Sequence, residues 1–294
     1  MTAERIEFEA IGTTWDISIN DELKDRDWLN LKCSIAERIE RFDEVYSRFR
    51  ADSFVNKLAT AAGRYTMPPD ACELFNFYGQ LYDASGGKVT PAIGQALSDA
   101  GYDSAYSFKA KTLQSPPDWR SVMRYDKYHL IVKRPVLFDF GAAGKGYLVD
   151  IIGNLIAEAG IQNYTINAGG DIKHRSARKS SLRVGLENPV DLTEVIGIAS
   201  LSNSSLCASS SFKRRWDKFH HILDPASLTS PRHVIATWVI ADDTMTADGI
   251  ATALFFTAAE DLSRHFSFSY ALLDKDMNFY CDQQFPVELF EGVS

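Results

Sequence analysis

Segments with strand-like alternation and segments with helical periodicity follow one another irregularly along this chain of 294 residues. Apolar residues three or four positions apart predict one helix from about Asp27 to Phe49 and another from Asp70 to Tyr82. Apolar and polar residues alternate from Ile6 to Ile19, which predicts a strand with a kink or bulge at Gly12. Because the elements do not repeat in a regular βαβ order, we predict an α+β fold of intermixed strands and helices, built as one domain over residues 1–294.

The second half of the chain continues in the same irregular order. Two apolar runs, residues 128–132 and 136–140, flank Lys133-Arg134-Pro135 and predict a hairpin. A helix that ends at Gly160 is predicted after it, and another from about Thr244 to Phe256. The polar, proline-rich residues 110–120 predict a surface connection. Further strands are predicted at NYTINAGGDI, LRVGL, VIGIASL, HVIATWVIA, YALLD and NFYC.

Composition and charge disfavour several classes of protein. The sequence is 45% hydrophobic and 24% charged, which is typical of a globular protein. Its net charge is −8 and its densest basic cluster, at residues 213–218, is short, so we do not expect a nucleic-acid partner. No apolar run approaches the roughly 20 residues that a membrane-spanning helix needs. We therefore expect no membrane insertion.

The cysteines and the N-terminal residues indicate a compartment. The four cysteines are far apart and form no CxxC pair, which disfavours both a zinc site and a disulfide framework. The first ten residues lack a basic segment followed by an apolar one, so a signal peptide is not expected. Together these features lead us to expect a cytoplasmic protein.

Two glycine-rich turns are candidate anion sites. Residues 138–147, FDFGAAGKGY, join a strand end to a helix start, where free N–H groups attract phosphates and Lys145 adds a positive charge. Close strand–helix packing explains such glycines equally well. Residues 167–172, NAGGDI, form a second turn, in which Gly169 and Gly170 precede Asp171. An ordinary β-turn is the alternative explanation there.

Two further motifs carry candidate catalytic and metal-binding side chains. HHILDP places His220 and His221 before a carboxylate, and a neutral histidine accepts a proton from a hydroxyl nucleophile. Neighbouring strand residues point in opposite directions, so only one of the two is expected to face a site. TADGIAT places Asp248 and Thr252 one helical turn apart, and their hard oxygen atoms suit Mg²⁺. Helix capping and hydroxyl back-bonding are the structural alternatives for this pair.

Taken together and in order, these motifs resemble the ApbE family of FAD:protein FMN transferases, over about residues 8–260. AIGTTWDISI is similar to the N-terminal M-G-T strand of the family, with Ile11 at the usual methionine. The remaining matching segments are YSRFRADSFVNKLAT, SGGKVTPAIGQAL, FDFGAAGKGYLVD, NAGGDI, LRVGLENP, HHILDP and ADGIAT. The resemblance implies an ApbE-like, T-fold-like architecture.

The resemblance also implies an activity, which is the Mg²⁺-dependent transfer of the FMN moiety of FAD to a Ser or Thr hydroxyl of an acceptor flavoprotein, with release of AMP. The metal ligands implied are Asp248, Thr252 and the carbonyl oxygen of Ala142. Lys145 would act in catalysis and in FAD binding, and His221 matches the histidine proposed as the base. Residues implied to contact FAD are Ile11, Phe49, Lys88, Val89, Thr90, Asp139, Gly169, Gly170, Asp171 and Ile222, with Phe49 placed to stack on the isoalloxazine ring.

The sequence departs from the family pattern at three places. The T-S-G stretch is replaced by Ser209-Ser210-Ser211, and the T-G after the D-P is replaced by Ser227-Leu228, so we expect a turn that is built differently there. Thr90 replaces the aspartate of F-D-P. The first two changes bear on acceptor specificity more than on metal binding. An FAD diphosphatase that yields FMN and AMP, or a flavin-binding protein without turnover, therefore remain alternatives to the transferase.

Overall fold

The computed structural model describes residues 4–290 of the chain. Within that range the strands are β1 (Glu4–Ala10), β2 (Thr13–Ile19), β3 (Gly63–Thr66), β4 (Met123–Tyr125), β5 (His129–Val132), β6 (Asn163–Ala168), β7 (Asp171–Ser176), β8 (Leu182–Glu187), β9 (Val195–Leu201), β10 (Ser205–Ser210), β11 (Arg215–Trp216), β12 (Phe219–His220), β13 (Val234–Ala241), β14 (Ser269–Asp274), β15 (Phe279–Cys281) and β16 (Val287–Leu289). The helices are α1 (Asp25–Tyr46), α2 (Phe54–Thr60), α3 (Ala71–Ala84), α4 (Gly94–Asp99), α5 (Trp119–Val122), α6 (Gly144–Glu158), α7 (Thr244–Ala253) and α8 (Ala259–Leu262), and a 3₁₀ turn, Pro91–Ile93, precedes α4.

An eight-stranded antiparallel sheet forms the centre of the fold, in the order β1-β2-β6-β7-β10-β13-β14-β15. Three smaller sheets have the orders β16-β9-β8, β3-β5-β4 and β11-β12. Helices α6 and α7 pack against the central strands β6, β7, β10 and β13. The predicted α+β class is therefore confirmed. Among residues 4–290, none of the helices combines the length and the apolar character that crossing a membrane requires.

The two faces of the central sheet are covered differently. On β10, Cys207 belongs to the core shared with the helices, whereas its neighbour Leu206 belongs to a second core on the opposite face. Trp238 of β13 lies in that second core together with Leu186 of β8. Because side chains alternate along a strand, the apolar residues of the central strands fill both cores. The small sheet β16-β9-β8 thus covers the second face.

The part of the second face formed by β2 and β6 is polar. Ile17 and Ile166 point into the helix-side core, so their neighbours point the other way. Those neighbours are half-buried and line a large cavity, and they are Asp16, Ser18, Thr165 and Asn167. The small sheet therefore leaves a polar floor beside its β8 edge.

The prediction of a single kinked strand from Ile6 to Ile19 was wrong. The segment is a hairpin in which β1 pairs with β2 along its whole length, from Glu4 opposite Ile19 to Ala10 opposite Thr13. Ile11 and Gly12 form the turn, with φ values of 45° and 75°. Two positive φ angles are the signature of a type I′ turn, which fits the twist of a hairpin. Isoleucine is rare in this conformation, so the sequence did not indicate a turn.

The predicted hairpin of residues 128–132 and 136–140 was also wrong. Strand β5 pairs instead with β3 and β4. Residues 135–140 form no strand, and the N–H of Asp139 donates to the carbonyl of Pro91 at 2.8 Å. The partners of both segments come from distant parts of the chain, which a local apolar pattern does not reveal.

Most predicted helices are present with shorter ends. Helix α1 ends at Tyr46 and α7 at Ala253, each three residues before the predicted end at Phe49 and Phe256. The predicted helix before Gly160 and the one up to Tyr82 are confirmed as α6 and α3. Residues 110–117 form a connection without regular structure, as predicted, but Trp119 is 2% exposed and begins α5. Strand β10, SLCASS, was not predicted because small polar residues give no period-two pattern.

Candidate active site

One cavity of about 1400 Å³ collects residues from nearly all the motifs. It lies at the end of the central sheet that carries the β6–β7 turn, between α6, α7 and the loop after β12. Only one of the site residues expected from the sequence, Asp171, does not line it; Asp171 is fully buried behind the cavity wall. The expected residues that line it are Ile11, Phe49, Lys88, Val89, Thr90, Asp139, Ala142, Lys145, Gly169, Gly170, His221, Ile222, Asp248 and Thr252.

The three expected metal ligands meet where α7 crosses the start of α6. Thr252 Oγ1 lies 3.4 Å from the carbonyl oxygen of Ala142. Asp248, one turn earlier on α7, accepts a hydrogen bond from the N–H of Gly146 through Oδ2 at 2.9 Å. A Cβ on Gly146 would lie 2.3 Å from the Thr244 carbonyl oxygen, so a glycine is needed for the two helices to approach this closely. Asp248 thus also caps the start of α6.

Two buried carboxylates share one lysine beside these ligands. Lys145 forms an ion pair with Asp171, whose side chain is completely buried. Burial alone would lower the pKa of Lys145, but Asp171 and Asp248 outweigh it and raise the pKa above its usual value. Burial and the nearby Asp171 raise the pKa of Asp248 well above its usual value, and Lys145 only partly opposes this. Two carboxylates facing one ammonium group leave an excess of negative charge.

This charge excess fits a divalent cation. Asp248, Thr252 and the Ala142 carbonyl supply the hard oxygen donors that Mg²⁺ prefers, and Mg²⁺ usually keeps open positions for substrate phosphates. Among the described residues, Lys145 is the only cationic partner of Asp171. Within residues 4–290, no group of three or more His, Cys, Asp or Glu side chains is placed to hold a metal. The fit therefore rests on one carboxylate, one hydroxyl and one carbonyl.

Of the two adjacent histidines, only His221 lines the cavity. His220 is turned away, where its Nε2 contacts the Pro231 carbonyl at 2.8 Å. Burial, followed by Arg214 and His220, lowers the pKa of His221 to about 3, so its ring is neutral at physiological pH. Its Nδ1 atom is buried and has no hydrogen-bond partner among residues 4–290. His221 therefore brings a neutral ring to the cavity.

Asp139 is held by an arginine that the sequence reasoning missed. Arg48 Nε donates to Asp139 Oδ2 at 2.5 Å, and the N–H of Gly141 donates to Oδ1 at 2.8 Å. The Arg48 side chain is only 3% exposed. It directly precedes Phe49 in YSRFR, but its own burial could not be read from that motif. The partner 91 residues away is what makes Arg48 part of the site.

Phe49 already has aromatic and cationic neighbours. Its ring stacks parallel to Tyr106 at a centroid distance of 5.2 Å, and the Arg48 guanidinium lies 4.1 Å from its centroid. Stacking of Phe49 on a flavin ring, which stays a prediction, requires Tyr106 to move aside. Tyr106 is 47% exposed and lies in a segment without regular structure. Sequence reasoning missed it because the GYDSAYSFKA segment carries no recognised motif.

The N–H groups of Lys88 and Val89 are already engaged by Ser85. The N–H of Lys88 donates to the Ser85 carbonyl, and that of Val89 donates to Ser85 Oγ at 3.0 Å. Thr90 Oγ1 accepts from the N–H of Ala92 and so caps the following 3₁₀ turn. A threonine therefore performs here the capping that an aspartate also provides. Ile222, 4% exposed, adds an apolar wall opposite.

The two tight turns at the rim of the cavity are in contact. Gly169 has a φ of 60° and its N–H donates to the Thr14 carbonyl at 3.0 Å. A Cβ on Gly169 would lie 1.8 Å from Thr13 Oγ1. The hairpin turn at Ile11 and the turn at Gly169-Gly170 are thus packed with no room for a side chain between them.

The departures from the family pattern have different structural outcomes. Residues 209–211 need no glycine, since none of them has a positive φ. Leu228, by contrast, has a φ of 55°. The expectation that this turn is built differently was therefore wrong, because Leu228 adopts the left-handed conformation that a glycine would adopt, at a cost of roughly 1–2 kcal/mol.

Comparisons with known proteins identify the family. The ApbE family model matches residues 11–269. A protein of Rhodobacter capsulatus named FAD:protein FMN transferase is 26% identical over an aligned length of 220 residues, and the match covers 70% of this chain and 42% of that protein. The chain thus spans less than half the length of this relative.

Solved structures share the fold over almost the whole chain. The ApbE protein of Thermotoga maritima superposes with a TM-score of 0.81 at 20% identity, covering 98% of this chain and 100% of the other. The flavin transferase ApbE of Vibrio cholerae gives a TM-score of 0.78 at 20% identity, covering 97% and 99%. With a family model that matches most of its length and a fold shared from end to end, the chain belongs to the ApbE family.

Proposed function

We propose that this protein transfers the FMN moiety of FAD to a Ser or Thr hydroxyl of an acceptor flavoprotein, with Mg²⁺ and with release of AMP. One observation carries the proposal. A single cavity brings together the Asp248–Thr252–Ala142 oxygen donors, Lys145 and a neutral His221, which come from motifs far apart in the sequence. The names of the relatives support the same activity.

The residues at the α6–α7 crossing would bind the pyrophosphate. Asp248, Thr252 and the Ala142 carbonyl would hold Mg²⁺, which when bound neutralises charge on the phosphate oxygens and on the leaving group. Lys145, held in its charged form by Asp171 and Asp248, adds a second positive charge there. The first turn of α6 contributes the partial positive charge of a helix N-terminus.

His221 would accept the proton of the acceptor hydroxyl. The hydroxyl oxygen forms a bond to the phosphorus of the FMN half while the bond from that phosphorus to the bridging oxygen breaks, and AMP leaves with that oxygen. A pKa of about 3 makes His221 a weak base in the absence of substrate. An anionic pyrophosphate nearby favours the protonated ring and raises this pKa, so binding of FAD strengthens the base.

The test separates the transferase from its alternatives. The protein is incubated with FAD, Mg²⁺ and a library of short peptides, each with one central threonine in otherwise randomised sequence without Ser or Thr. A library with central alanine is the control. We expect AMP together with an FMN mass on the threonine peptides only. AMP with free FMN and no labelled peptide would instead identify an FAD diphosphatase, and tight FAD binding without AMP a flavin-binding protein.

A further inference from the structure

Strand β8 has an open edge. It lies at the end of the three-stranded sheet and pairs only with β9. No other hydrogen bond to the backbone of residues 182–187 is formed by the part of the chain that the structure describes. In an antiparallel pair, every second residue directs its N–H and C=O groups away from the partner. The free edge of β8 therefore presents a row of unpaired donors and acceptors.

This open edge forms one wall of the active-site cavity. Leu182, Arg183, Val184, Gly185 and Glu187 all line it. The floor beside the wall is the polar part of the central sheet, where Asp16, Ser18, Thr165 and Asn167 also line the cavity. A trough results, with a hydrogen-bonding wall and a floor of hydroxyl, amide and carboxylate groups. Its form suits an extended polypeptide that adds one strand to the small sheet.

The trough leads to His221. At the C-terminal end of β8, Glu187 Oε2 forms an ion pair with Lys213 Nζ at 2.5 Å. The next residue, Arg214, accepts a hydrogen bond from the N–H of His221 through its carbonyl oxygen at 3.2 Å. A chain that runs along the β8 edge thus ends beside the loop that holds the candidate base.

We propose that the open edge of β8 binds the acceptor polypeptide as an added β-strand and so brings its Ser or Thr hydroxyl to His221. The inference rests on the proposed function, which requires a polypeptide as second substrate. Main-chain pairing recognises a strand with little regard to sequence, while the polar floor favours small polar side chains at every second position. Two other molecules could pair with this edge, namely a second copy of this chain or part of FAD itself. The experiment distinguishes them from the acceptor polypeptide.

The first arm of the experiment uses the best threonine peptide from the library. Versions with a single N-methylated amide are made at each position in turn, and the KM for FMN transfer is measured. Because an added strand bonds through alternate residues, we expect N-methylation to raise the KM about tenfold or more at every second position and to have little effect between them. Equal effects at neighbouring positions would overturn strand addition while leaving the transferase intact.

The second arm changes the protein. Val184→Pro and Gly185→Pro each remove one N–H from β8, and one of these two groups faces the trough. The matched control is Leu289→Pro on β16, the opposite edge of the same sheet. Glu288 is left unchanged, because its side chain pairs with Arg183 of β8. Only variants that keep the wild-type circular dichroism spectrum are compared. Among them, we expect the β8 variant that has lost the N–H facing the trough to show a higher KM for the peptide and an unchanged affinity for FAD. The β16 variant should keep the wild-type KM.

Hydrogen exchange at β8 completes the test and covers the case in which neither β8 variant folds. In the wild-type protein, we expect the peptide to protect alternate β8 amides, and FAD alone not to do so. Protection by FAD alone, or protection in a dimer detected by sedimentation without peptide, would assign the edge to another occupant and overturn the proposal. If FAD binds and no peptide is labelled at all, the proposed function fails, and the inference fails with it.

Discussion

The surroundings of Asp248 suit two different roles. Its Oδ2 accepts from the Gly146 N–H, as a helix cap does, while its proximity to Asp171 and Lys145 suits a metal ligand. We predict that Asp248→Asn keeps the cap, because an amide oxygen still accepts this hydrogen bond, but loses the charged ligand. Metal assistance is worth several kcal/mol, so Mg²⁺-dependent AMP release should fall by at least about 10²-fold.

The control for this prediction caps the same helix. Asp243 caps α7 by accepting from the N–H of Thr246 at 2.7 Å and does not line the cavity. Asp243→Asn should leave AMP release near the wild-type rate at every Mg²⁺ concentration. Wild-type activity in Asp248→Asn would show that this residue is a cap and no more.

His221 is expected to link stability to pH. Its pKa is about 3 in the fold and about 6.5 in the unfolded chain, so the unfolded state binds more protons between these values. Its stabilising contribution is thus complete above about pH 6.5 and is lost as the pH falls toward 3. Because the ring also faces the open cavity, we expect a loss of roughly 1–3 kcal/mol between pH 7 and 4.5.

Urea unfolding at these two pH values measures the effect. His221→Gln has no titrating ring and should lose less stability on acidification than the wild type, by that amount. The exposed His265 provides the control. His265→Gln should lose as much unfolding free energy between pH 7 and 4.5 as the wild type does. Parallel behaviour of all three proteins would contradict the lowered pKa.

At the residue scale, sequence identified the charged and polar groups better than their surroundings. Asp248, Thr252, Lys145 and His221 were named from motifs, and the structure places them in one cavity. Tyr106 and Arg48 were not named, because their roles depend on packing against Phe49 and on a partner distant in the chain. The conformation of Leu228 was likewise unpredictable, since the surrounding fold holds a non-glycine residue at positive φ.

The contact between two turns is an element-scale feature that can be tested. Gly169→Ala adds a methyl group 1.8 Å from Thr13 Oγ1 as well as an unfavourable φ of 60°. Gly160→Ala has a φ of 84° with no atom within 4 Å, so it carries the conformational cost alone. We predict a loss of about 1 kcal/mol for Gly160→Ala and about 2–4 kcal/mol for Gly169→Ala, measured by urea unfolding. Equal losses would mean that the two turns separate without cost.

The longer helices and the strands with apolar alternation were predicted from the sequence because their apolar spacing is local, whereas β10, which lacks this pattern, was missed. The pairing of strands was not, since it depends on partners elsewhere. The VLFDF run looked like a strand, yet its Asp139 N–H donates to Pro91 and its Phe138 is buried in the helix-side core. The hairpin at Ile11-Gly12 was missed because its turn uses an isoleucine at positive φ.

At the scale of the whole molecule, the cavity depends on ties between distant segments. The pair of Arg48 and Asp139 joins the end of α1 to the segment before α6, and both side chains are largely buried, at 3% and 13% exposure. Asp139 in turn is tied to Pro91 through its backbone. This buried ion pair therefore fixes three walls of the cavity relative to one another.

We predict that the Arg48–Asp139 pair contributes to stability as a unit. Arg48→Met leaves a buried carboxylate without its cation, which should cost about 3 kcal/mol. Asp139→Asn leaves the guanidinium without its counter-charge, at a similar cost. The double variant should lose clearly less than the sum, because neither charge is then left alone. The coupling is obtained from the unfolding free energies of the wild type, the two single variants and the double variant. The control is Arg264→Met, which breaks an exposed pair with Asp261 and should change stability by less than about 0.5 kcal/mol. Strict additivity of the two buried substitutions would mean that the walls are fixed by apolar packing alone.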